Sequence, residues 1–129
     1  MNPHQVEILV VDDNAANLKL ARVILQREGY LVRTAVDAEE ALELLSTWRP
    51  ALILMDIQLP GLDGLELTRR LKASPEHRDT IIVALTAFAM PSDHERARAA
   101  GCDGYLSKPI DIDTLVLAVS QHLGTGAGS

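Results

Sequence analysis

The sequence predicts a doubly wound α/β domain, a five-stranded parallel sheet flanked by five helices. Three observations predict it. Short apolar runs alternate along the chain with stretches whose apolar residues recur every three or four positions, the signature of repeated β-α units. Four of the runs end in a polar residue: Ile8-Leu9-Val10-Val11 before Asp12-Asp13, Leu52-Ile53-Leu54-Met55 before Asp56, Ile81-Ile82-Val83-Ala84-Leu85 before Thr86, and Gly104-Tyr105-Leu106-Ser107 before Lys108. A chain of 129 residues, 47% hydrophobic, also suits one domain that buries about two thirds of its unfolded surface.

The elements follow in order. After the first strand, Asn14 caps a helix over 14–28 whose Leu18, Ala21 and Leu25 form one stripe, and Gly29 ends it. Residues 31–35 form the second strand. Asp37 then caps a helix with Ala38, Ala41, Leu42, Leu45 and Trp48 at core-facing spacing, and Pro50 keeps it out of the third strand. Pro60-Gly61 marks a loop, after which Leu62, Leu65, Thr68 and Leu71 face inward on a third helix and Arg69 and Arg70 face solvent. The fourth strand follows a connection containing Pro75. Ser92 or Asp93 caps the fourth helix, with Ala97 and Ala100 inward, Glu95, Arg96 and Arg98 wet, and Gly101 at its end. After the fifth strand, Ile112, Leu115, Val119 and Leu123 mark the inner face of the last helix. Residues 124–129 read as a flexible tail.

Composition excludes several classes of function. A net charge of −6 without a clustered basic patch argues against direct contact with nucleic acid. No apolar run approaches the roughly 20 residues of a membrane span. A single cysteine, Cys102, rules out an internal disulfide and suits a reducing compartment; with no charged-then-apolar leader, the expectation is a cytoplasmic protein. Cys102 is expected to pack as a small apolar side chain beside the fifth strand. His4, His77, His94 and His122 are not spaced as metal ligands and read as surface residues.

If the four runs lie side by side, their carboxyl ends gather Asp12, Asp13, Asp56, Thr86 and Lys108 around one crevice, where open α/β sheets bind ligands. Magnesium takes oxygen ligands in octahedral geometry and is held by one or two carboxylates plus phosphate oxygens. Crowded carboxylates raise one another's pKa, so a divalent cation is the natural way to keep all three ionised. Asp12-Asp13 alone would read as a strand-end turn; Asp56 at a second strand end makes it a metal site. Asp56 is the candidate nucleophile toward phosphorus, with Lys108 as a point charge and Thr86 as a hydroxyl donor to phosphoryl oxygens.

Val10-Val11-Asp12-Asp13-Asn14, Met55-Asp56-Ile57-Gln58-Leu59-Pro60-Gly61, Leu85-Thr86-Ala87 and Ser107-Lys108-Pro109-Ile110 stand in the order and spacing of response-regulator receiver domains of the chemotaxis-regulator type, which the chain resembles. The resemblance covers the chain to about Leu123, so residues 5–123 make the receiver and 124–129 the tail. It implies sheet order 2-1-3-4-5 and phosphorylation of Asp56 by a histidine kinase or a histidine phosphotransfer protein in a two-component system or phosphorelay. It implies magnesium held by Asp13, Asp56 and the Gln58 carbonyl, with Asp12 helping, directly or through water. Thr86 and Tyr105 are the implied switch pair, Tyr105 turning into space that Thr86 vacates, and the altered face of helix four, strand five and helix five is the surface for a downstream protein. The resemblance also points to Phe88 and Gln58 as residues flanking the path of hydrolytic water, Phe88 shielding and Gln58 orienting it. Met90 and Pro91 are candidates for a partner-binding patch. Thr86-Ala87-Phe88-Ala89-Met90, Asp93, Glu95-Arg96, Gly101-Cys102, Tyr105 and Ser107-Lys108-Pro109-Ile110 look particularly like stand-alone cell-cycle receivers, and receivers of hybrid histidine kinases are also similar, especially over Asp12 to Asn17.

Rival readings give different expectations. A magnesium phosphatase with an aspartyl nucleophile wants a second acid two residues on, and Gln58 stands there. A receiver-like interaction domain that no longer takes phosphate would not need Asp13, Asp56, Thr86 and Lys108 together. Flavin binding lacks its phosphate loop after the first strand.

Overall fold

In a computed structural model of the chain, residues 6–59, 63–87 and 91–123 are described. Five β-α units follow one another: β1 (Glu7–Val11), α1 (Ala15–Arg27), β2 (Leu31–Ala35), α2 (Ala38–Leu45), β3 (Leu52–Asp56), α3 (Gly64–Ala73), β4 (Ile81–Thr86), α4 (Pro91–Ala100), β5 (Gly104–Ser107) and α5 (Ile112–Leu123). All neighbouring strands are parallel, in the order β2-β1-β3-β4-β5. The register pairs Val11 with Ala35 and Met55, Asp56 with Leu85, and Thr86 with Ser107, so the carboxyl ends come level at one edge.

Side chains alternate across a strand, and the sheet sorts its apolar residues accordingly. Ile8, Val10, Leu52, Leu54, Val83 and Leu85 pack with Leu18, Ala21, Ile24 and Leu25 of α1 and Leu115 and Val119 of α5. Leu9, Val11, Ile53, Met55 and Ile82 pack on the other face with Ala38, Ala41 and Leu45 of α2 and Leu67 and Leu71 of α3. Ala97 and Ala100 seat α4 against Ala84, Ile57 and Leu65, and Cys102 packs half-buried beside them.

Local chemistry sets the helix ends. Asn14, Asp37 and Asp63 each accept a backbone N–H from three residues on, as N-caps do. Gly29 and Gly101 follow α1 and α4 with φ of +96° and +106°, a conformation that side chains strain to adopt.

Four expectations need correcting. Helix α2 stops at Leu45, where the Ser46 hydroxyl donates to the Glu43 carbonyl, so Trp48 lies past the helix although it still packs on the core. Helix α4 starts at Pro91, whose fixed φ suits a first helical position, leaving Ser92 and Asp93 inside the first turn. Ile112 is 52% exposed because it opens α5, where Asp111 accepts the Thr114 N–H; Ile110 packs on the core instead. His77 is only 7% exposed, since its Nε2 reaches the Leu45 carbonyl at 3.1 Å and ties the α3–β4 connection to the end of α2. His94 is exposed and His122 half-buried. Pro60, Gly61, Leu62, Phe88, Met90, His4 and the tail 124–129 lie outside the described residues.

The amino end of the sheet is closed by cross-links. Trp48 Nε1 donates to Glu7 at 2.6 Å, and the Arg33 guanidinium lies 4.7 Å from the Trp48 ring centre. Lys72 Nζ donates to the carbonyls of Thr80 (2.7 Å) and Arg78 (3.3 Å) and to Asp103 (2.8 Å), whose carboxylate also accepts the Ile82 N–H at 2.9 Å.

Candidate functional site

The site begins where β1 ends. The Asp12 N–H continues the ladder to the Ala35 carbonyl at 3.1 Å, which holds the residue in line with the sheet and wholly buried. Asp12 Oδ1 accepts the Asn14 N–H at 2.9 Å, while Oδ2 accepts Asn17 Nδ2 at 3.3 Å and pairs with Lys108 Nζ at 3.0 Å. Asp13, one residue on, faces solvent, and its carboxylate meets no partner among the described residues.

Asp56 closes β3 and is 1% exposed. Its Oδ1 accepts the Gln58 N–H at 2.9 Å and its Oδ2 accepts Lys108 Nζ at 2.9 Å. Burial pushes the Asp56 carboxyl above its ordinary range; the Gln58 N–H and Lys108 pull against that, and the charge of Asp12 adds to it. Burial pulls the Lys108 ammonium down, yet its hydrogen bonds and attraction to Asp56 and Asp12 prevail and hold it above its usual value. The ammonium is thus fixed between two acids.

One oxygen from each of Asp12, Asp13 and Asp56 lies within 4.8 Å of the others. The donor set is entirely carboxylate oxygen with a solvent-facing member, which fits a hard divalent cation such as magnesium. Three carboxylates against one ammonium leave excess negative charge that such a cation would offset.

Two residues complete the rim. Thr86, the last residue of β4, is buried, and its backbone carbonyl accepts the Lys108 N–H at 2.7 Å, which registers β5 and its lysine on β4. The Thr86 hydroxyl bonds the Tyr105 hydroxyl. Burial raises the Tyr105 phenol, Thr86 partly offsets this, and the Asp93 charge adds to the rise. The Tyr105 ring is half-buried against the cluster beneath α4 and stacks on His94, centroids 3.6 Å apart and planes tilted by 33°. The Lys108–Pro109 peptide bond is cis.

Asp12, Asp13, Asp56, Thr86 and Lys108 therefore share one end of the sheet, and Gln58 meets Asp56 through its backbone N–H. Sequence reasoning missed three neighbours. Asn17 holds Asp12, and its signal was a second amide three residues after the Asn14 cap. Gly64 opens α3 flat against the sheet, where a Cβ would collide with the Asp56 carbonyl oxygen and the Ile57 Cα; its signal was a glycine directly after the Asp63 cap. His94 stacks on Tyr105, which no spacing along the chain foretells.

A parallel sheet in this order, with a buried acid at one strand end, two more beside it and a lysine bridging them, defines the receiver class of signalling domain. The sequence matches the family described as "Response regulator receiver domain" over residues 8–120, and the chain belongs to that family. It is 44% identical over 117 residues to the polar-differentiation response regulator DivK of Brucella anthropi, covering 91% of this chain and 95% of that one. The DivK of Brucella ovis is 43% identical with the same coverage. Among solved structures, chemotaxis response regulator CheY4 of Vibrio cholerae superposes with a TM-score of 0.87 at 29% identity, covering 91% of this chain and 98% of that one. The receiver domain of a sensor histidine kinase from Pseudomonas aeruginosa, with a magnesium ion coordinated in its active-site cleft, superposes at 0.85 with 36% identity, covering 93% and 98%. Receivers of this family act in two-component signalling, and aspartate phosphorylation and magnesium are typical of them.

Proposed function

We propose that residues 5–123 are a phosphoacceptor receiver switched by phosphorylation of Asp56. The observation that carries the reading is the Lys108 ammonium set between Asp12 and Asp56 while Asp13 stays open toward solvent. An Asp56 oxygen attacks the phosphorus of a phosphohistidine on a histidine kinase or phosphotransfer protein; the P–N bond breaks and the imidazole leaves, taking a proton from solvent. Asp13, Asp56 and the Gln58 carbonyl would hold magnesium, with Asp12 assisting; when bound, the ion offsets the charge of the incoming phosphoryl group. Lys108 then pairs with a phosphoryl oxygen.

The added charge also gives the Thr86 hydroxyl a stronger acceptor than the Tyr105 phenol, so Thr86 turns inward and Tyr105 loses its partner. That change reaches the face of α4, β5 and α5, where a downstream protein reads it. Autodephosphorylation follows by water attack near Gln58, whose amide cannot act as the general acid of a phosphatase. The setting is cytoplasmic; among the described residues no helix is long and apolar enough to cross a membrane.

The test is incubation with magnesium and acetyl phosphate, followed by intact mass of the native chain and of Asp56→Ala. One phosphoryl adduct that vanishes in the variant is the expected result. No adduct on the native chain, with magnesium binding demonstrated, would mean an interaction domain that works without phosphate.

A further inference from the structure

Asp12 lies against the amino end of α1, and the side chains there have two separate roles. Asn14 caps the helix by accepting the backbone N–H of Asn17 at 3.1 Å. In a capping box the residue in the position of Asn17 would return its side chain to the cap's own N–H. Here that N–H already goes to Asp12 Oδ1 at 2.9 Å, and the Asn17 amide goes to Asp12 Oδ2 at 3.3 Å. The cap therefore needs only the Asn17 backbone, which any residue at this position except proline retains. What the side chain adds is a donor on Asp12.

We propose that Asn17 is a positioning residue, whose amide fixes the Asp12 carboxylate on Lys108 and so sets the ammonium in place before a phosphoryl group arrives. Two contacts on different oxygens, Asn14 to Oδ1 and Asn17 to Oδ2, define the plane of the carboxylate. That plane aims Oδ2 at Lys108 Nζ, 3.0 Å away. The residue type suits this role, because a glutamate, the usual partner in a capping box, would set a second negative charge against Asp12, whereas an amide donates without charge. Lys108 reaches the site from the far side of β4, so its aim depends on the acids that receive it. The inference rests on the receiver reading, since the aim of Lys108 matters only if phosphate comes.

The experiment compares the native chain with Asn17→Ala and Asn17→Gln. The initial rate of acetyl-phosphate labelling is followed against donor concentration with saturating magnesium, and the Lys108 ammonium is observed by ¹H–¹⁵N NMR in metal-free protein. A lost hydrogen bond to a charged group at this length predicts a limiting rate about five- to tenfold lower in Asn17→Ala, with an unchanged half-saturating concentration. The Lys108 signal should broaden through faster exchange with water, and Asn17→Gln should recover part of both effects. Native rates together with a native Lys108 signal in Asn17→Ala would overturn the proposal. So would a slower rate accompanied by an unchanged Lys108 signal and a lower melting temperature, which would mark a merely structural residue. A native chain that accepts no phosphoryl group refutes the receiver reading instead, and the metal-free Lys108 signal still decides the role of Asn17.

Discussion

The two ends of the sheet treat polar groups in opposite ways. At the amino end most are matched: Trp48 with Glu7, Lys72 with two carbonyls and Asp103, and His77 through Nε2 with the Leu45 carbonyl, although its buried Nδ1 meets no partner among the described residues. At the carboxyl end they are left in excess, with Asp12, Asp13 and Asp56 facing Lys108. Matched groups hold elements together, whereas an excess of charge waits for a ligand. The fold concentrates stability at one end and reactivity at the other.

Substitutions can break or sharpen that contrast. The largest loss is expected from Gly64→Ala, which forces a methyl against the backbone of Asp56 and Ile57; about 3 kcal/mol of stability should go, with much slower labelling, measured by urea unfolding and intact mass. Lys72→Met keeps the apolar stem and removes an ammonium that holds three groups, so it should cost about 2 kcal/mol while leaving Asp56 labelling at the native rate. Equal loss of labelling would show that the ends are not independent.

Asp56→Asn should act the other way. A carboxyl whose folded pKa is raised stabilises the fold as pH falls and disfavours it above that pKa, so at neutral pH the metal-free variant should be more stable by about 1 kcal/mol, though unable to be labelled. A less stable variant would mean that the ion pair with Lys108 outweighs the crowding. The smallest effect belongs to Asp111, whose carboxyl is lowered by hydrogen bonds from the Thr114 backbone and hydroxyl. Its contribution is present above the ordinary carboxylate pKa and disappears as pH falls through the lower folded value. Carbon NMR titration of the Asp111 carboxyl should place its midpoint below the ordinary aspartate value, and Thr114→Ala should bring it back up.

The same contrast explains what could be read from the chain. Strand ends, the caps of α1 and α2 and the acidic cluster were legible because each is local: an apolar run stops, a carboxylate follows, and parallel topology levels the ends. Asn14, Asp37, Gly29 and Gly101 act within a few residues of themselves. His77 was misjudged because its partner is a carbonyl 32 residues away, and Ile112 because periodicity does not say where the sheet stops supporting a helix. The Asn17 amide and the Gly64 contact escaped for a related reason: each depends on how closely two elements approach, which no spacing encodes.

Lys108 also determines how firmly the sheet is finished. Strand β5 is four residues long and, among the described residues, pairs along one side only, with β4. Its following residue reaches past β4 to carboxylates at the ends of β3 and β1, two and three places inward. The outermost strand is therefore latched to the middle of the sheet by charge, and its looseness becomes a gauge of what the acids hold. Whatever draws Lys108 away from Asp12 and Asp56, or replaces it there, should register as altered hydrogen exchange along the amides of β5.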